Sequence, residues 1–222
     1  EYLRTALLYH IVKRFFRGFN AGEGFACHRA LCYSSVNEKT GGIPMGGDIQ
    51  RNVQAVTARI AAAAGRSGRP AGAITLIAVS KTVGADQVAE AYAAGIRHFG
   101  ENRAQELALK RSQLDLDCTW HFIGHLQSNK ARDALAFSHL IHSVDSLTLA
   151  RELDRRASLM GKRAAVLAQV NISREESKSG IDVADAEDFV LALSDLQQID
   201  VMGLMTIAAP AADPEEVRPQ FR

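Results

Sequence analysis

The chain has 222 residues, 47% hydrophobic and 23% charged, values of an ordinary globular domain that exclude disorder over most of its length. Lys and Arg total 26 against 25 Asp and Glu, so the basic excess of a typical nucleic-acid binder is missing. No apolar run approaches the roughly 18 residues of a membrane span, and three cysteines do not make a disulfide framework.

The near-balance of charge is the sum of two unlike parts. Arg4, Lys13, Arg14, Arg17, Arg29 and Lys39 face only Glu1, Glu23 and Glu38 in the first 44 residues, and the remainder is slightly acidic. Tyr2–Phe19 has the composition of a short basic amphipathic helix, which suits either a transit peptide or an extension foreign to the fold. Gly41, Gly42, Pro44, Gly46 and Gly47 mark a linker, and Met45 stands just before the first clean helical pattern. Residues 1–47 are therefore expected to be a basic extension and linker, and 48–222 the folded domain.

From there the pattern is regular. Ile49, Val53, Val56, Ile60 and Ala64 line one helix face, with Asp48 as N-cap and Gly65 as the stop. After a turn at Arg69-Pro70, Ile74–Val79 reads as a buried strand, and Ala85–Ala94 as a helix ended by Gly95. Ile96–Gly100, Trp120–Gly124, Leu140–Val144, Ala164–Ile172 and Val201–Ile207 read as further strands. Between them lie helices at Asn102–Leu114, Ser128–Ala136, Leu147–Met160 behind Ser146, and Val183–Leu196 behind Asp182. Asp213–Arg222 reads as the start of another.

Six strand–helix units with no hairpin signal predict a parallel sheet covered by helices. An open doubly wound sheet and a closed barrel both satisfy this. A full eight-unit barrel takes about 250 residues, so a barrel here stops two units short, with two unpaired edges.

In either architecture, ligands gather at the carboxyl ends of the strands. Lys81 stands just past the strand Ile74–Val79, after Ser80. A lysine partly desolvated there would favour its neutral amine, which attacks an aldehyde to form a Schiff base. Other strand ends are polar too: Glu101-Asn102, His125, His142 to Asp145, Asn171 and Thr206. Cys118, His121 and His125 have no spacing that suits a closed zinc tetrad, so no metal site is expected. Neither G-x-G-x-x-G, nor G-x-x-x-x-G-K-[ST], nor G-x-S-x-G occurs.

Five segments in order carry a resemblance. They are Ala78-Val79-Ser80-Lys81-Thr82, His98-Phe99-Gly100-Glu101-Asn102, and Trp120-His121-Phe122-Ile123-Gly124 with Leu126-Gln127-Ser128-Asn129-Lys130. Val170-Asn171-Ile172 with Ser177-Lys178-Ser179-Gly180-Ile181, and Gly203-Leu204-Met205-Thr206-Ile207, complete the set. Together they closely resemble the pyridoxal phosphate homeostasis protein family. The resemblance implies an α/β fold, a TIM (β/α)8-type barrel similar to the alanine racemase N-terminal domain, here ending after the sixth strand. It implies that Lys81 carries pyridoxal 5′-phosphate (PLP) as a Schiff base, with Asn102, His121, Lys178 and Met205 as further cofactor-binding residues. It implies a monomeric cytoplasmic protein of PLP homeostasis, buffering the cofactor or delivering it to PLP-dependent apo-enzymes, with no membrane or nucleic-acid partner and no catalytic residue. The alternative is a racemase-like PLP enzyme, which needs a second acid/base on the opposite cofactor face. Family segments that hold the phosphate and the pyridine nitrogen have no counterpart here, so weak cofactor binding is expected.

Overall fold

A computed structural model describes residues 4–7, 30–35, 49–173, 178–209, 211 and 213–221. The strands are β1 (Arg4–Leu7), β2 (Ala30–Ser35), β3 (Ile74–Val79), β4 (His98–Glu101), β5 (Thr119–Phe122), β6 (Leu140–Val144), β7 (Ala164–Gln169) and β8 (Ile199–Met205). The helices are α1 (Ile49–Arg66), α2 (Ala85–Ala93), α3 (Ala104–Gln113), α4 (Ala131–Phe137), α5 (Leu147–Leu159), α6 (Ala186–Ser194) and the single turn α7 (Pro214–Val217).

The eight strands form one sheet in strict sequence order. From β2 to β8 every neighbouring pair is parallel, and β1 runs antiparallel to β2. A doubly wound sheet reverses its strand order at a switch point. This sheet never reverses, so its winding is that of a barrel and all carboxyl ends from β3 to β8 share one rim. The described sheet is open, because no pairing joins β8 to β1 or β2.

Three expectations are corrected. Residues 4–7 are strand, not part of a helix; the rest of Tyr2–Phe19, and Asp48, lie outside the described residues. Ile74–Val79 is not an unpaired edge, because Ala30–Ser35 from the basic extension pairs with it from Ala30↔Ile74 to Ser34↔Ala78. Strand-like alternation in a short Cys-Tyr-Ser segment was masked by the charge of its surroundings. The first helix also runs through Gly65 to Arg66, and the chain turns at Gly68, whose φ is +66°. The remaining elements fall within a few residues of their predicted bounds.

Each strand divides its side chains between two faces. Phe99 and Trp120, with ring centroids 5.5 Å apart, pack outward against Val88 of α2 and Leu107 of α3. A larger core joins β5 to β8 to α4, α5 and α6 through Phe122, Leu135, Ile141, Leu149, Leu153, Val166, Phe189 and Leu193. The helices dock where their apolar stripes meet these residues. Ser146 caps α5 by accepting the Leu149 amide at 3.3 Å, and Asp182 accepts the Ala184 amide at 2.9 Å ahead of α6. No helix among the described residues is long and apolar enough to cross a membrane.

Leu153 has no exposed surface. Leu153→Ala is expected to lower unfolding free energy by about 2–5 kcal/mol, measured by urea titration.

Candidate functional site at the carboxyl rim

Lys81 sits two residues beyond the end of β3, in the turn that leads to α2. Its side chain is exposed, so the partial desolvation expected of it is not supplied by the described residues. What the fold does control is the backbone beneath it. The Ser80 amide donates to the Gly100 carbonyl at 3.0 Å, and the Val83 amide closes the turn onto the Ser80 carbonyl at 3.0 Å. Thr82 takes a left-handed φ of +62°, which strains a β-branched residue. Its amide donates to Glu106 Oε2 at 3.3 Å, and its hydroxyl donates to the Lys81 carbonyl at 2.6 Å.

Below this turn lies a buried ion pair. Glu101, at the end of β4, has no exposed surface, and Lys110 of α3 is 6% exposed. Lys110 Nζ donates to Glu101 Oε1 at 2.5 Å and to the Ser80 carbonyl at 2.5 Å. The Ser80 hydroxyl donates to the same carboxylate oxygen at 2.6 Å. Burial pushes the Glu101 carboxyl above its usual range, and the bonds from Lys110 and Ser80 oppose that shift.

Asn102 follows Glu101 and is half-buried. A Cβ built on Gly124 would stand 2.3 Å from the Asn102 carbonyl oxygen, so only glycine lets the ends of β4 and β5 approach this closely.

His121 lies on the face of β5 opposite Trp120. It is 3% exposed, and both of its ring nitrogens are engaged: Nε2 with His98 Nδ1 at 3.1 Å and Nδ1 with His142 Nε2 at 2.9 Å. Three neighbouring strands thus contribute one imidazole each to a continuous chain. Burial, reinforced by His98 and His139, drives the His121 pKa down to about 3, and burial alone takes His142 to about 3. Both rings are therefore neutral at pH 7. His121 thus lies on the inner face of the sheet with both ring nitrogens bonded to other histidines.

Lys178 belongs to the loop after β7. Ile181 stitches that loop to the strand end, donating to the Gln169 carbonyl at 3.0 Å and accepting the Asn171 amide at 2.9 Å. Asn171 Nδ2 donates to the Lys178 carbonyl at 3.3 Å, and Lys178 Nζ to the Ala208 carbonyl at 3.4 Å. Met205, 4% exposed, ends β8, and the neighbouring Thr206 hydroxyl bonds the Val170 carbonyl at 2.8 Å. The five predicted residues therefore separate into three settings. Lys81 and Asn102 stand on the β3–β4 rim, Lys178 and Met205 on the β7–β8 rim, and His121 within the sheet's inner face. Among the described residues no group of three His, Cys, Asp or Glu side chains could hold a metal ion.

Sequence reasoning missed Lys110, Glu106 and the His98–His121–His142 chain. Lys110 reads as an ordinary helix lysine, and its only local signal is the i,i+4 spacing to Glu106. The two-residue period places His98, His121 and His142 on inward positions of successive predicted strands, and that coincidence was the available clue to the chain.

The winding and the lysine-bearing rim define an α/β barrel protein of the alanine racemase type. A sequence model described as the alanine racemase N-terminal domain matches residues 51–222. The pyridoxal phosphate homeostasis protein of Escherichia coli (strain K12) is 43% identical over 170 residues, covering 75% of this chain and 73% of its relative. The structure of PipY from Synechococcus elongatus PCC7942 with PLP bound superimposes with a TM-score of 0.61 at 44% identity, over 72% of this chain and 74% of that one. An alanine racemase of Clostridium difficile 630 shares the fold at 18% identity and a TM-score of 0.61, over 79% of this chain and 44% of its own. The chain belongs to the pyridoxal phosphate homeostasis protein family.

Two predictions follow from this geometry. Gly124→Ala must push back the Asn102 backbone and is expected to cost about 1–3 kcal/mol, read by urea unfolding. The second concerns acid. In the unfolded chain the histidines protonate near pH 6.5, whereas folded His121 and His142 do so only near 3. Their stabilisation is complete above pH 6.5 and is lost as pH falls, by up to about 1.4 kcal/mol per pH unit for each ring. Unfolding free energy is expected to drop between pH 6.5 and 5, above the carboxylate range, and His142→Gln should remove roughly half of that drop.

Proposed function

We propose that this chain binds pyridoxal 5′-phosphate covalently through Lys81 and serves intracellular PLP homeostasis, holding the cofactor and releasing it to PLP-dependent apo-enzymes without turning over a substrate. The carrying observation is the exposed Lys81 amine on a backbone tied down on both sides, at the carboxyl rim of a barrel from this family. The cofactor supplies an aldehyde, which condenses with a primary amine to give a Schiff base and water. The donor set fits that chemistry. Lys81 is exposed and so reachable by a solute.

Exposure also favours reversibility. Water has access to Lys81, so hydrolysis of the bond is not blocked, and release returns the free amine. This suits a carrier better than an enzyme that must exclude water from its intermediates. Asn102, on the same rim, serves as a polar wall beside Lys81. Lys178 and Met205 line the far rim, and His121 supports the floor as a neutral ring. The same reading makes the protein a cytoplasmic monomer. A racemase would need a second acid/base near Lys81. Tyr92 does not meet this need, because its ring lies on α2 under the Arg97 guanidinium, 4.1 Å from the ring centroid.

Incubation with pyridoxal 5′-phosphate, reduction with borohydride and peptide mapping test the reading. The expected adduct is on Lys81 and disappears in Lys81→Ala, whose stability should stay within about 0.5 kcal/mol of wild type because the side chain is exposed. An adduct confined to other lysines, or none, overturns the assignment. Racemisation of a free amino acid by the loaded protein would replace the carrier role with catalysis.

A further inference from the structure

The turn that carries Lys81 is held by the next β/α unit, not by its own helix. Three side chains of that unit converge on it. Lys110 binds the Ser80 carbonyl, Glu101 binds the Ser80 hydroxyl, and Glu106 accepts the Thr82 amide. Glu106 and Lys110 are one turn apart on α3, so a single helix face grips the residues on either side of Lys81. With the Ser80 amide on Gly100, every polar group of Ser80 has a partner.

This arrangement is costly. Two buried charges contribute little net stability over an apolar pair, because desolvation offsets their attraction. Glu101 Oε2 is buried with no hydrogen-bond partner among the described residues. Thr82 adds left-handed strain at an exposed position where glycine would have none. Costs of this kind, gathered around one exposed lysine, are explained if a fixed lysine backbone is what they secure.

We propose that Glu101, Lys110 and Glu106 are positioning residues for Lys81, clamping the Ser80–Val83 turn so that the amine is presented to an incoming aldehyde from a preset backbone. This rests on the reading of Lys81 as the cofactor lysine. Glu101 and Lys110 are buried beneath the turn, on the helix side of the sheet. The three residues act through Ser80 and Thr82, by reducing the number of conformations from which Lys81 must be recruited.

The test uses the whole chain as wild type, Glu101→Gln/Lys110→Met and Glu106→Ala. The double variant replaces the ion pair by neutral groups of similar size, so no charge is left buried alone. Amide hydrogen exchange is measured without cofactor, and affinity for pyridoxal 5′-phosphate and borohydride trapping are measured with it. In both variants the Thr82 and Val83 amides are expected to exchange about tenfold faster or more, with protection in β6 and β7 unchanged. Affinity is expected to fall about tenfold or more, with less of the trapped adduct on Lys81. Unchanged exchange and affinity in a folded double variant overturn the proposal. If the double variant does not fold, the same two results in Glu106→Ala overturn it. Faster exchange in the variants, with no adduct on Lys81 in wild type, supports the clamp and refutes the cofactor assignment instead.

Discussion

A carboxylate with no access to water sets the terms for the β3–β4 end of this molecule. Glu101 has no exposed surface, so its charge must be met inside the protein. Lys110 reaches it from α3, Ser80 from the end of β3, and both bonds fall on the same oxygen. That requirement fixes the spacing of β3, β4 and α3 at one point. The turn bearing Lys81 inherits its geometry from it, and Thr82 accepts a strained backbone to complete it.

The sheet separates two kinds of polarity. Towards the helices, Glu101 and Lys110 form a charged pair within an otherwise apolar layer of Val88, Phe99, Leu107 and Trp120. On the other face, His98, His121 and His142 form a hydrogen-bonded chain across three strands, with His121 and His142 neutral. For His121 and His142 neutrality follows from burial, which disfavours the charged imidazole. Lys81 differs from both. It is exposed, on a turn whose backbone is held by the neighbouring β/α unit.

Much of the fold was legible because its signals are local. Apolar runs at Ile74–Val79 and Leu140–Val144 return as strands with those bounds, and Ser146 and Asp182 cap the helices they were expected to cap. Lys81 was legible as a lysine just past an apolar strand, and family motifs in register pointed to Asn102, Lys178 and Met205 near other strand ends. Ala30–Ser35 was hidden by a basic, cysteine-containing neighbourhood that reads as an appendage, yet it pairs with β3. The pairing depends on a partner about forty residues away, which no local window contains.

The sequence by itself determined the order of strands and helices from residue 48 onward, their parallel alternation, the family and the position of Lys81 at a strand end. Periodicity, caps and motif spacing all act within a few residues of the chain. Only the tertiary structure decided which charges are buried, that Lys81 is exposed, and that three histidines touch. Those outcomes need partners from separate β/α units. Ser80 meets Glu101 from 21 residues away and Lys110 from 30. Burial of a charge is a property of the assembled units, and a linear pattern does not carry it.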